Sequence, residues 1–495
     1  MSGRSERSEL DTDENFSFVR DAWDKDLVQE LSDYIEIPAK SPAFDKQWKE
    51  NGYIGQVVCR AAEWISGQRI EGLTLEVIEL PGRTPVLFFE VQSFDPQYDF
   101  KEREKESGDT VLIYGHLDKQ PEFVGWRSDL GPWSPKYQEG KLYGRGGADD
   151  GYAVYAGITA IASLQAQKCS HPRIVGLIET CEESGSYDLL PYIDLLKKRL
   201  GEVALVICLD SGAGNYDQLW MTSSLRGMAS GVLKVEILTE GVHSGDASGL
   251  VPSSFRIMRQ VLDRLEDSGT GRLLPASFHC TVPPERLRQT RTTAEILGKE
   301  VYQRFPWVNF DCEEGHKVTL PTTQDPFEGL LQRTWAPTLS VTGAEGFPAM
   351  ECAGNVLRPF TAFKLSLRLP PLVDASKVVF ELKKILEDNA PYDARVTFES
   401  TGGATGWNAP STALWFENAL NSASKKYFGA PCAYIGQGGT IPLMSMLSKG
   451  FPNAQMMVCG VLGPQSNAHG PNEFLHVPYA KKLTAAVAEL IHSLP

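Results

Sequence analysis

A chain of 495 residues, 42 % apolar and 22 % charged, is globular and too long for one ordinary core, so two or three domains are expected. Its formal charge of −15, without clustered Lys and Arg, excludes nucleic acid and anionic membrane as principal partners and leaves a small molecule. Nine cysteines lacking Cys-x-x-Cys spacing read as reduced core residues. The polar start MSGRSERSELDTDENF and the lack of a long apolar run predict a cytoplasmic protein without a membrane segment.

From about residue 70 to 225, β-branched runs alternate with helical stretches. TPVLFFEV, DTVLIYGH, RIVGLIET and VALVICLD are predicted strands; 151–167 and 189–200 are predicted helices, and WSPKYQEGKLYGRG is a predicted hairpin turning at Glu139-Gly140. After SSLRG the texture changes. GVLKVEIL, AFKLSLRLP and ARVTFES read as strands and PSSFRIMRQVLDRL and DASKVVFELKKILED as helices, which predicts a second, smaller sheet with two helices of ferredoxin-like α+β type. Residues 268–335, rich in Pro, Thr and Arg, fit no element. From about residue 404 the α/β texture returns and closes with an amphipathic helix over 478–494. The expected organisation is a first catalytic part over 1–226, an inserted domain over 227–403 and a second catalytic part over 404–495.

Four α/β segments deliver polar residues at their C-terminal ends: His116 and Asp118 in YGHLD, Glu182 and Glu183 in ETCEESGS, Asp210 in CLDSG, and His469 in SNAHGPNE beyond AQMMVCGV. Open α/β sheets bind ligands at that edge. Each residue alone reads as a solvated loop residue or a cap; together they are a cluster. GRGGADDGY adds Asp149 or Asp150, which would otherwise be an N-cap and a first-turn carboxylate. Two histidines with several carboxylates suit zinc or manganese better than calcium or magnesium. Five ligands exceed what one catalytic zinc with an open position uses, whereas two ions sharing a bridging carboxylate would use them all. Of the adjacent Glu182 and Glu183, one would bind metal and the other would move a proton.

GHLDKQP, GRGGADDG, ETCEESGS, CLDSG and NAHGPNE, in that order and spacing, resemble the site motifs of the co-catalytic di-zinc hydrolases. That family includes carnosinases, cytosolic non-specific dipeptidases, carboxypeptidase G, acetylornithine deacetylase and succinyl-diaminopimelate desuccinylase. The resemblance covers nearly the whole chain and is strongest to the carnosinase branch. It implies a zinc-exopeptidase fold, with a mixed central sheet flanked by helices and an inserted lid, and two Zn2+ per subunit with Mn2+ as the substitute. One ion would sit at His116, Asp149 and Asp210 and the other at Asp149, Glu183 and His469. The same resemblance makes Glu182 the general base and Asp118 the carboxylate that orients His116. It also implies a homodimer through the lid, where His243 of EGVHSGDASG would polarise the substrate carbonyl, in its own subunit or across the dimer.

NVLRP and GQGGTIP look like grips for a substrate carboxylate, through Arg358 and through Gly438, Gly439 and Thr440. The chain departs from its relatives at Asp150-Gly151-Tyr152, where a lysine often follows the bridging aspartate. Arg358 precedes its proline instead of following it, and Lys119 replaces a small apolar residue. The expected activity is hydrolysis of a small peptide with a free C-terminal carboxylate, water activated by metal and deprotonated by Glu182. Removal of an acyl group from an N-acyl amino acid is the alternative. A scaffold with a vestigial site is disfavoured because every ligand position is filled. Phosphoryl transfer and dinucleotide binding are disfavoured by the missing Gly-rich loops.

Overall fold

The structure is a computed structural model that describes residues 9–97, 109–310, 317–439 and 442–495. The chain divides into two compact units: Met1–Thr222 with Ala409–Ile435 and Met446–Pro495, and Ser223–Asn408 with Gly436–Ser445.

The first unit is built on a mixed six-stranded sheet. Its strands run Leu73–Ile78, Val86–Val91, Arg173–Glu179, Thr110–His116, Val203–Cys208 and Gln455–Val458 across the sheet. The last four are mutually parallel and the first two antiparallel. Thr110–His116, at the centre, is buried at every residue, the pattern of a strand covered on both faces, which is why its sequence is a continuous apolar run. The parallel strands all point their C-terminal ends to one edge. His116 and Glu179 are paired there in register.

Tyr152–Ala166 packs on the Thr110–His116 strand and on the C-terminal helix Val477–His492. That last helix departs from the amphipathic expectation: from Leu483 to Ile491 every residue is buried. It is flanked by Thr12–Ala22, Tyr152–Ala166 and Leu414–Phe428, and what exposure remains is at Pro478, Lys481, Lys482 and His492 near its two ends. Its one buried carboxylate, Glu489, accepts hydrogen bonds from Ser422 (2.9 Å) and Lys426 (2.8 Å).

The second unit carries an antiparallel sheet in the order Thr338–Glu345, Phe360–Leu369, Gly227–Glu236, Arg395–Ala404. With Ser254–Leu262 after the first strand and Ala375–Glu387 before the last, the chain runs strand, helix, strand, strand, helix, strand, the ferredoxin-like connection. Its core joins Leu233, Val235, Ile257, Leu365, Leu367 and Leu382. The Thr338–Glu345 strand escapes sequence reading because it is a sheet edge and mostly exposed, without apolar alternation. The described part of residues 268–335 includes the α-helices Pro284–Leu297, Glu300–Gln303 and Pro326–Thr334, packed on one another.

Gly176 shows how tightly the first sheet is packed. It lies opposite Phe89 in the ladder, and a Cβ there would stand 1.9 Å from the Phe89 ring. Gly176→Ala is therefore expected to lower stability by about 1–3 kcal/mol through overpacking. Urea unfolding followed by far-UV circular dichroism checks this, and Gly176→Ala with Phe89→Leu should recover part of the loss.

Candidate metal centre

The sheet edge gathers seven predicted residues. Asp118 lies just past the end of the Thr110–His116 strand and is fully buried. Its two oxygens accept the backbone N–H groups of Glu182 (3.2 Å) and Glu183 (3.0 Å). A single helical turn, Glu182–Ser184, thus begins past the end of Arg173–Glu179, with Asp118 setting where its two glutamates start. The bend lets adjacent side chains serve one site.

His116 Nδ1 is 3.1 Å from the Asp118 carbonyl oxygen, which can only accept, so Nδ1 carries a proton and Nε2 is the nitrogen left to face a cation. That Nε2 is buried and has no hydrogen-bond partner. Around it stand Asp149 Oδ1 at 3.4 Å and Asp210 Oδ2 at 3.9 Å. His469 Nε2 lies 3.0 Å from the other Asp149 oxygen and 3.4 Å from Glu183 Oε2. Asp149 therefore stands between the two imidazoles.

Donor atoms of His116, Asp149 and Glu183 lie within 4.8 Å of one another, as do those of His116, Glu182 and Asp210, so both groups could hold a metal ion. A cation fits this donor set: an orphaned imidazole nitrogen and four carboxylates converge where, among the described residues, no lysine or arginine pairs with them.

The electrostatics follow from crowding. Burial pushes Glu182 and Glu183 well above the ordinary carboxylate range, reinforced by Asp210 for the first and Asp149 for the second. Burial and Asp149 bring Asp210 to about 6 although His116 pulls it down. Asp149 is the exception: burial opposes its charge, yet the histidines on both sides hold its pKa below the usual range. Burial also opposes charge on His116, but Asp118 and Asp149 keep its pKa well above the ordinary value.

The loop bearing His469 is braced from below. His469, Gln465, Asn467 and Asn472 all have positive φ, so this segment is a string of left-handed turns without regular pairing. The buried Arg145–Glu473 ion pair anchors it, Arg145 also donating to the Gly470 carbonyl (2.8 Å) and Glu473 accepting the Gly146 N–H (2.9 Å). His469 itself is 54 % exposed at its side chain, the open side of the centre.

Several contributors are not evident from residue type. Gln120 donates to Glu183 Oε2 at 2.6 Å. Asp150 is fully buried and its Oδ2 accepts the His116 N–H (3.3 Å) across a cis Asp149–Asp150 peptide. The departures are structural. Lys119 is buried and donates to the carbonyls of Tyr34 (2.7 Å) and Ile37 (2.8 Å) at the end of helix Val28–Glu36, where the helix dipole favours a cation. Gly151 faces the Tyr34 ring, 2.2 Å from where a Cβ would sit, which leaves no room for a longer residue.

The remaining predicted residues belong to the second unit. His243 is exposed and pairs with Val356 in a two-residue ribbon, close in sequence to Arg358, whose Nε donates to the Gly346 carbonyl at 2.8 Å. Gly438 lies beside Arg226, which donates to its carbonyl at 3.4 Å, and Gly439 has open space around its Cα. Thr440 lies outside the described residues.

The sequence pattern of peptidase family M20/M25/M40 matches residues 112–493. The chain is 26 % identical over 438 residues to the cysteinylglycine-S-conjugate dipeptidase of Corynebacterium striatum, covering 87 % of this chain and 89 % of that protein. It is 26 % identical over 455 residues to the Beta-Ala-His dipeptidase of Homo sapiens, covering 88 % and 83 %. Among solved structures, human carnosine dipeptidase 1 superposes with a TM-score of 0.74 at 22 % identity over 98 % of this chain and all of that one, a likeness of fold.

Glu179 gives the centre a measurable pH dependence. Its Oε1 accepts from Tyr114 (2.7 Å) and Ser186 (2.9 Å), its Oε2 is buried without a partner, and burial with the nearby Asp118 raises its pKa to about 7. The folded chain then holds a proton that the unfolded chain releases near 4.5, so this contribution is full below 4.5 and is lost as pH rises through 7. Relative to Glu179→Gln, the metal-free protein should lose up to about 3 kcal/mol between pH 4.5 and 7.5. Urea midpoints of both proteins across that range measure the difference.

Proposed function

The chain belongs to peptidase family M20/M25/M40, and from that premise we propose that it is a di-metal dipeptidase, hydrolysing a small peptide with a free C-terminal carboxylate. The observation that carries the reading is the placement of Asp149 between two imidazoles, with Glu183 in reach of Asp149 and with Glu182 and Asp210 in reach of His116. The dipeptidase names of the relatives point the same way. His116, Asp149 and Asp210 would hold one ion, and Asp149, Glu183 and His469 the other, zinc by donor chemistry and manganese as its substitute. When bound, paired cations polarise the scissile carbonyl and lower the pKa of a water.

The protein's residues do the rest. Asp118 fixes the His116 tautomer and holds the Glu182–Ser184 turn. Glu182, whose pKa is raised by burial and Asp210, accepts the proton of the attacking water and passes it to the leaving amine nitrogen as the C–N bond breaks. We assign the second unit the role of a lid that also forms a homodimer. His243 polarises the carbonyl from that lid; Arg358, Gly438, Gly439 and Thr440 grip the terminal carboxylate. The eight described cysteines are free, which suits a reducing compartment such as the cytoplasm. Among the described residues, no helix is long and apolar enough to cross a membrane.

A panel of free dipeptides beside their N-acetyl amino-acid counterparts, with zinc- or manganese-loaded protein, tests the reading. Turnover confined to the acylated compounds would make the protein a deacylase. Glu182→Gln should keep its metal and lose turnover by roughly a hundredfold or more; near-normal turnover contradicts its role. His469→Ala should bind less metal per chain, read by atomic emission after dialysis, and undiminished occupancy would remove it from the ligand set.

A further inference from the structure

The loop that follows the first metal motif, residues 120–127, is pinned along its length. Gln120 donates to Glu183, Lys40 pairs with Glu122 at 3.0 Å, and Trp126 Nε1 donates to the Glu122 carbonyl at 2.7 Å. At its far end the Arg127 N–H donates to Asn472 at 2.7 Å, and a Cβ on Gly125 would touch Pro471 at 3.5 Å. The loop is therefore fastened to the turn that carries Glu183 on one side and to the segment that carries His469 on the other. It forms part of the rim of the centre.

Its tip has the opposite character. Phe123 is 52 % exposed and Val124 91 % exposed, two adjacent apolar side chains in water beside a site made of carboxylates and imidazoles. Phe123 has a φ of 51°, a left-handed backbone that a bulky aromatic residue rarely adopts. Its ring lies 5.9 Å from the Arg145 guanidinium, so it lies near the Arg145–Glu473 brace. A fastened loop that holds apolar groups out in an unfavourable backbone state has the form of a recognition element.

We propose that Phe123 and Val124 are specificity-determining residues that select substrates with an apolar side chain on the residue preceding the scissile bond. This rests on the dipeptidase reading. The proposed grips account for the carboxylate end of the substrate, so the side chain that this rim can select is that of the residue on the amino side of the scissile bond. Contact between such a side chain and the tip removes apolar surface of both from water, and that contact is absent for a small polar residue.

The test compares Leu-Gly with Ser-Gly. In the metal-loaded wild type, kcat/KM should favour Leu-Gly, and Phe123→Ser with Val124→Ser should reduce that preference roughly tenfold. The same pair of substitutions is placed in Glu182→Gln protein, where calorimetry reads dipeptide binding without turnover. A fall in the Leu-Gly to Ser-Gly affinity ratio there supports the proposal even if the wild type hydrolyses neither compound, an outcome that would defeat the dipeptidase reading alone. A preference unchanged within twofold overturns the proposal, as does failure of both dipeptides to bind.

Discussion

Everything at the sheet edge turns on the repulsion among buried carboxylates. Asp149, Glu182, Glu183 and Asp210 surround one small volume, and among the described residues the partners that can carry positive charge against them are two imidazoles. The protein meets this by dividing protons unequally. Asp149 keeps its charge because it sits between His116 and His469, while Glu182, Glu183 and Asp210 are pushed toward their neutral forms. A pair of cations would reverse the sign of the local field, so the same arrangement that is frustrated without metal becomes complementary with it.

The scaffold supplies what such an arrangement needs, which is rigidity. The centre lies where four parallel strands end, against a helix buried on nearly every side. Asp118 accepts two backbone N–H groups of the neighbouring turn, and the Arg145–Glu473 pair underlies the opposite loop. These groups touch no substrate in the proposed mechanism. They fix the positions of those that do, and small errors of position are what such chemistry tolerates least.

Much of this was legible in the chain itself. Strands buried on both faces announce themselves as unbroken apolar runs, and polar residues at their ends stand out by contrast, which is how His116, Glu182, Glu183 and Asp210 could be found. His469 could be singled out as the polar residue beyond the AQMMVCGV run, but a loop of left-handed turns has no periodicity, and its place in the ligand set came through the resemblance of NAHGPNE. The edge strand Thr338–Glu345 carries no burial pattern to read. The terminal helix looked amphipathic because a largely buried helix rich in alanine still carries polar residues, here Thr484 and Glu489, which take partners from other elements. Lys119 looked like an anomaly until its three carbonyl acceptors were in place.

The spacing of the donors along the chain has a consequence for the life of the protein. His116 and His469 meet at Asp149, yet one comes early in the chain and the other close to its end. During synthesis the early strands can pair while the last donor is still within the ribosome. Two ions bridged by Asp149, one held by His116 and the other by His469, would then close a loop spanning most of the polypeptide, and closing so long a loop removes much of the freedom of the unfolded chain. Metal supply would therefore govern how much of the newly made chain persists as folded protein, in addition to how fast each molecule works.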